Sequence, residues 1–304
     1  MYRSILVPLD GSTFGEHALP AALSLARRTG GSLHVMLVHT AFVYVESGLI
    51  YDDRVDRQIR EQEQGYLESV VTRLKAASPV PVTWALRDGA IADGICEQIT
   101  ASSADLIVMT THGRGPLTRF WLGSVADNLV RRAPVPVLLV RPQETAPDLT
   151  HEPVFRHVFI PLDGSPLAEQ VLEPAVAVGQ LLGADFTLLR IVKPVLFPGH
   201  DPTVLGNPAL GQPATEQLQA EARAYLEGIA ERLRAQSLRA QTRVIANMQP
   251  AVAILEQSLE PPDGVIALAT HGRGGLTRAL LGSVADKVVR GATMPVLVCR
   301  PLSP

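Results

Sequence analysis

HGRGPLTRFWLGSVAD occupies His112–Asp127, and HGRGGLTRALLGSVAD occupies His271–Asp286. Packing alone would repeat the apolar positions of such a stretch, but here the glycines and a Gly-Ser pair recur as well. Working outward, His112–Pro142 and His271–Pro301 share 21 of 31 positions. Val7-Pro8-Leu9-Asp10-Gly11-Ser12 returns as Ile160-Pro161-Leu162-Asp163-Gly164-Ser165. The chain is therefore a duplication, and its 304 residues divide into two units of ordinary domain size. Domain one is expected over residues 1–143 and domain two over 154–304. The polar, Pro-punctuated 144–153 between them reads as a linker.

Within each copy, short apolar runs alternate with helical periods. In the first, strands are expected at Ser4–Leu9, Leu33–His39, Val80–Leu86, Leu106–Thr110 and Val135–Val140. Helices are expected at Gly15–Arg28, Arg54–Ala77, Ile91–Ser102 and Ser124–Arg132. The second copy repeats the pattern, with strands at Val158–Leu162, Phe186–Val192, Thr242–Ala246, Gly264–Ala269 and Pro295–Cys299. Its helices fall at Leu167–Leu182, Thr215–Ala240, Ala251–Leu259 and Ser283–Arg290. Strands apolar throughout and separated by helices imply a parallel sheet covered on both faces. The fold class is α/β, with two doubly wound five-stranded domains. Ala41–Asp53 and Lys193–Ala214 differ between the copies and read as linking segments.

A net charge of −3 offers no basic field for nucleic acid, and no apolar run is long enough to span a bilayer. MYRSILVPLD runs straight into a strand pattern instead of a signal peptide, so a cytoplasmic location is expected. Cys96 and Cys299, one per copy in apolar surroundings, read as buried reduced thiols.

The repeated stretch starts where the fourth strand ends and stops where the fourth helix begins. Ligands of open parallel sheets bind beyond the carboxyl ends of the strands, where strand order reverses. Gly113 and Gly115 permit close backbone approach, and Gly123-Ser124 opens a helix whose first N–H groups lack intrahelical partners. That arrangement suits a phosphate, with Ser124 and Arg114 placed to contact it. A structural alternative stands beside this: Ser124-x-x-Asp127 and Ser283-x-x-Asp286 fit a capping box in which the serine caps the helix. Neither a P-loop nor a G-x-G-x-x-G signature is present.

Both copies resemble the universal stress protein domain, whose motif is G-x-x-G, nine residues, then Gly followed by Ser or Thr. Gly113, Gly123 and Ser124 match it in the first copy, and Gly272, Gly282 and Ser283 in the second. The first motif glycine is replaced by Thr110 and Ala269. Met248 stands where the first copy has Gly89. The resemblance implies a Rossmann-like domain of strand order 3-2-1-4-5, with ATP, ADP or AMP in the cleft, with or without Mg. It places Pro8, Leu9 and Asp10 beside the adenosine, Val38 at adenine and Gly89 behind the ribose. Met109, Thr110, His112, Gly113, Arg114, Gly115, Gly123, Ser124, Val125 and Ala126 complete that site. The matching second set is Pro161, Leu162, Asp163, Ile191, Leu268, Ala269, His271, Gly272, Arg273, Gly274, Gly282, Ser283, Val284 and Ala285.

His112 and His271 read as hydrogen-bonded struts, because no partnered nucleophile is visible beside them. Asp10 and Asp163 have two readings, a ribose contact or a carboxylate accepting turn N–H bonds. The remaining histidines, His17, His34, His39, His151, His157 and His200, lack metal-ligand spacing, so no protein-built metal site is expected. The resemblance also implies that the two domains pair through their apolar last strands as a pseudo-twofold unit, and a homodimer of such chains is a further expectation. The leading expectation is a stress-response protein that acts by binding adenine nucleotide, not by turnover. Its rivals are a nucleotide-free scaffold and a slow phosphoryl- or adenylyl-transfer enzyme.

Overall fold

The computed structural model of the chain describes residues 1–41, 43–45, 48–50, 53–112, 122–150, 152–195, 208–261, 263–271 and 281–301. It divides into two compact units, Met1–Val154 and Phe155–Pro304.

The first unit runs β1 (Ser4–Pro8), α1 (Ala18–Thr29), β2 (Ser32–His39), a hairpin β3 (Val43–Val45) and β4 (Gly48–Ile50), and α2 (Asp53–Ala77). It continues with β5 (Val82–Asp88), α3 (Ile91–Ala101), β6 (Leu106–Thr110), α4 (Ser124–Arg132) and β7 (Val137–Val140). Its five long strands are all parallel, in the order β5-β2-β1-β6-β7. That is the expected 3-2-1-4-5. Ile5, Leu6 and Val7 of β1 and all of β6 are buried, as strands covered on both faces require.

The second unit runs β8 (His157–Pro161), α5 (Pro166–Glu169), α6 (Leu172–Leu182), β9 (Asp185–Val192) and α7 (Pro208–Arg234). β10 (Ala240–Ala246), α8 (Pro250–Ser258), β11 (Gly264–Ala269), α9 (Ser283–Gly291) and β12 (Val296–Cys299) complete it. Its parallel order is β10-β9-β8-β11-β12.

Several boundaries differ from the sequence reading for local reasons. The first expected helix opens with a 3-10 turn, Gly15–His17, because Asp10 and Ser12 first close a tight turn. Its counterpart splits into α5 and α6, with Ser165 capping α5 by accepting a hydrogen bond from the Ala168 N–H at 3.2 Å. Ala41–Asp53 contains the β3–β4 hairpin, and α7 begins at Pro208, inside the stretch read as a link. At its other end, α7 stops at Arg234 and β10 starts at Ala240, so the helix is shorter there than its charged pattern suggests.

The polar segment after β7 packs on the first unit. Glu152 pairs with Arg27 at 3.1 Å and Arg28 at 3.5 Å, and a His17 ring nitrogen lies 2.7 Å from the Thr145 carbonyl. Both cysteines are free. Cys299 is buried as expected, whereas Cys96 on α3 is only half-buried. No helix among the described residues is long and apolar enough to cross a membrane.

Candidate functional site

The strands deliver the candidate residues to one end of each sheet. Pro8 and Pro161 close β1 and β8, and Leu9 and Leu162 are buried just beyond them. Asp10 and Asp163 then turn the chain. In each copy one carboxylate oxygen accepts hydrogen bonds from both the N–H and the hydroxyl of the serine two residues on. The distances are 3.0 and 2.7 Å at Ser12, and 2.9 and 2.6 Å at Ser165. The turn role weighed for these aspartates is thus observed at one oxygen of each.

Met109 and Thr110 end β6, Leu268 and Ala269 end β11, and all but Ala269 are buried. Thr110 takes the place of a motif glycine without strain, because as the last strand residue it needs no positive φ. Its hydroxyl donates to the His112 carbonyl at 2.8 Å and so holds the strand exit.

His112 and His271 follow, each with Nδ1 against the preceding threonine hydroxyl, at 3.0 and 2.9 Å. Each Nε2 is buried without a hydrogen-bond partner among the described residues. Burial, helped by the field of Arg141, lowers the His112 pKa and favours the neutral ring. Gly113, Arg114, Gly115, Gly272, Arg273 and Gly274 lie outside the described residues.

The helix starts correct one expectation. Gly123 and Gly282, not the serines, are the N-caps, and neither helix has a side-chain cap. Each glycine N–H reaches back to the strand exit, to Thr111 at 2.9 Å and Thr270 at 2.8 Å. The first intrahelical bonds run from Asp127 to Gly123 and from Asp286 to Gly282, both 2.8 Å. The N–H groups of Ser124, Val125 and Ala126, and of Ser283, Val284 and Ala285, precede those bonds and have no intrahelical acceptor. Ser124 and Ser283 are exposed with hydroxyls not spent on capping. The acids expected to complete a capping box instead pair one turn on, Asp127 with Arg131 and Asp286 with Arg290, both at 2.9 Å.

In the second unit these parts line one cleft of about 970 Å³, at the upper end of the range for small-molecule sites. Pro161, Leu162, Asp163 and Ile191 form one side; Leu268, Ala269 and His271 form the floor toward β11; Gly282 through Ala285 close it. In the first unit Val38, next to the end of β2, lies under Gly94 of α3. Gly89 has φ +110°, a conformation that favours glycine. Met248, its counterpart, is not left-handed and is 53 % exposed, so that turn is built differently in the two units.

Two arrangements escaped the sequence reading. His39, 1 % exposed at the end of β2, has Nδ1 2.7 Å from Glu63 and Nε2 2.9 Å from Asp56. Arg60 joins Asp56 at 3.0 Å to Asp88 at 2.5 Å. Burial works against a charged ring, but the bonds to Asp56 and Glu63 outweigh it and raise the His39 pKa. His39 and Arg60 in turn hold the Asp56 carboxyl below the usual range. Arg190 is the second: it lines the second cleft with its guanidinium 5.0 Å over the Tyr225 ring. An arginine inside the apolar run Leu188-Leu189-Arg190-Ile191-Val192 was the available signal. No group of metal-ligating side chains occurs among the described residues.

The Universal stress protein family model matches residues 1–141 and 155–300. A universal stress protein of Mycobacterium tuberculosis (strain ATCC 25618 / H37Rv) is 34% identical over 205 residues, which span 66% of this chain and 63% of the relative. Universal stress protein E of Salmonella typhi is 27% identical over 323 residues, covering 99% of this chain and 95% of the relative. The crystal structure of a universal stress protein from Archaeoglobus fulgidus DSM 4304 superposes with a TM-score of 0.70 at 20% identity, over 98% of this chain and 96% of that one. With the glycine stretch, the parallel sheet order and the family match all occurring twice, the chain belongs to the universal stress protein family as a tandem of two such domains.

Proposed function

We propose that the chain is a stress-response protein that binds ATP or another adenine nucleotide in the cleft of one or both domains and acts through binding, not turnover. The observation that carries this reading is the pair of uncapped helix N-termini, each facing a strand exit, one of them closing a cleft of nucleotide size. Three N–H groups without intrahelical acceptors, a positive dipole end and an exposed serine hydroxyl make a phosphate site that needs no lysine. The adenosine then extends across β8 toward Ile191, with its ribose by Asp163. The first domain is read the same way, with Asp10, Val38 and Gly123 through Ala126. Phosphates supply the charge to which Mg would bind, since no cluster of protein ligands is found among the described residues.

The test is mass spectrometry of small molecules released from the purified, heat-denatured protein, paired with melting in the presence of ATP. A released adenine nucleotide and an ATP-dependent rise in melting temperature are expected. Absence of both would leave the scaffold reading in its place, and steady ADP release would favour transfer chemistry.

A further inference from the structure

The two clefts are not copies of each other at the β9 end. In the second, Arg190 and Lys193 both line the wall. The matching first-domain positions are Leu37, which is 4% exposed, and Thr40. β8 lies between β9 and β11, so these two cations stand across the cleft from the helix terminus at Gly282 and Ser283.

The Arg190 position is built. Its guanidinium stacks over Tyr225, whose hydroxyl donates to Glu169 at 2.9 Å. It also lies close to the turn after β8. A Cβ placed on Gly164 would stand 3.0 Å from both Cζ and Nη2 of Arg190, with Nη1 closer still. Gly164 itself has φ +79°, so the turn favours the one residue that leaves room for the guanidinium. Arg190 is thereby held beside Asp163, where the proposed ribose sits.

Charge is balanced differently on the two walls. Asp163 and Glu221 line the second cleft with Arg190 and Lys193, two carboxylates against two cations. The first domain has Asp10 and Gln62 at those positions with no cation at Leu37 or Thr40. A second anionic group at the ribose would meet Leu37 and Thr40 in the first domain, and in the second a planar donor at Arg190 with the ammonium of Lys193.

We propose that the second cleft selects adenine nucleotides carrying a phosphate on the ribose 2′ or 3′ oxygen besides the 5′-phosphate, with Arg190 and Lys193 receiving the ribose phosphate. This rests on the adenine-nucleotide reading of the same cleft, and the experiment separates the two. The full chain is titrated calorimetrically with 5′-AMP, adenosine 2′,5′-bisphosphate and adenosine 3′,5′-bisphosphate. One site per chain is expected to bind at least one bisphosphate about tenfold or more tightly than 5′-AMP, as a bidentate charged contact allows. Arg190→Leu, which installs the first-domain residue, should bring that affinity ratio to within about twofold of unity. Lys193→Thr, at an exposed position that carries little folding risk, should lower it about threefold or more. Bisphosphates no tighter than 5′-AMP, or an unchanged ratio in both variants, would overturn this selectivity alone. Binding of none of the three ligands would overturn the nucleotide reading with it.

Discussion

Replacing Gly179 with alanine tests how each sheet and its covering helix share volume. Gly179 lies on α6, buried against β9 and β8. A Cβ there would stand 2.5 Å from Cε1 of Phe186, closer still to Cζ, and 3.2 Å from Cγ2 of Val158. Phe186 and Val158 are both fully buried, so the ring has no open side to move into. Alanine gains about 1 kcal/mol of helix propensity over glycine, whereas overpacking a tight core costs about 1–3 kcal/mol. With an overlap this deep the cost takes the upper end, and we expect a net loss of about 1–2 kcal/mol. For a domain of this size that is a fall of about 2–8 °C in melting temperature. The first domain solves the same contact the other way, with Ala26 and Leu33, both fully buried, at the matching positions. Gly179→Ala/Phe186→Leu should therefore be more stable than the sum of its single changes by about 1 kcal/mol or more in a double-mutant cycle. A Gly179→Ala protein as stable as the parent, or strict additivity in the cycle, would refute the packing argument.

Two further predictions concern titrating groups. His39 has carboxylates on both ring nitrogens, which is satisfied only when both carry protons. Its folded pKa lies above the ordinary 6.5, so its stabilisation is complete below that value and is lost as pH rises through the raised folded value. NMR titration should find the His39 ring titrating above 6.5, and the loss of melting temperature on raising pH should be smaller in His39→Leu; a ring titrating below 6.5 would contradict this. For the thiols, burial pushes Cys299 up to about 12 and also raises half-buried Cys96. Iodoacetamide on the native protein, followed by peptide mapping, should modify Cys96 slowly and Cys299 only after unfolding; equal labelling would count against the burial of β12.

The parallel sheets were legible because buried strands carry uninterrupted apolar runs such as Leu106-Ile-Val-Met-Thr110, and because every element appears twice. The helix starts at Ser124 and Ser283 were legible too, but not who caps them. A serine after a glycine suits both the cap and the first helical position, and only backbone geometry tells them apart. The β3–β4 hairpin stayed hidden because three-residue strands leave too short a period to read. His39 and Arg190 were hidden for another reason. Their partners lie 17 to 35 residues away, on α2 and α7, so no local spacing announces them. In the site, strand ends and helix termini follow from pattern, and the differing charges can be read by aligning the copies, but that Arg190 and Lys193 share one cleft wall follows only from packing.

The most direct test of a phosphate held at the helix termini is calorimetric titration of ATP into the parent chain and into Gly123→Val, Gly282→Val and the double variant. Both glycines have backbone angles that other residues tolerate, with φ −59° and −58°, so the fold should survive. A Cβ would press on the strand-exit carbonyls at 3.2 and 3.0 Å and displace the amides that face the ligand. The account predicts that each single change silences its own cleft and that the folded double variant binds no ATP. Undiminished ATP affinity in the folded double variant would contradict it.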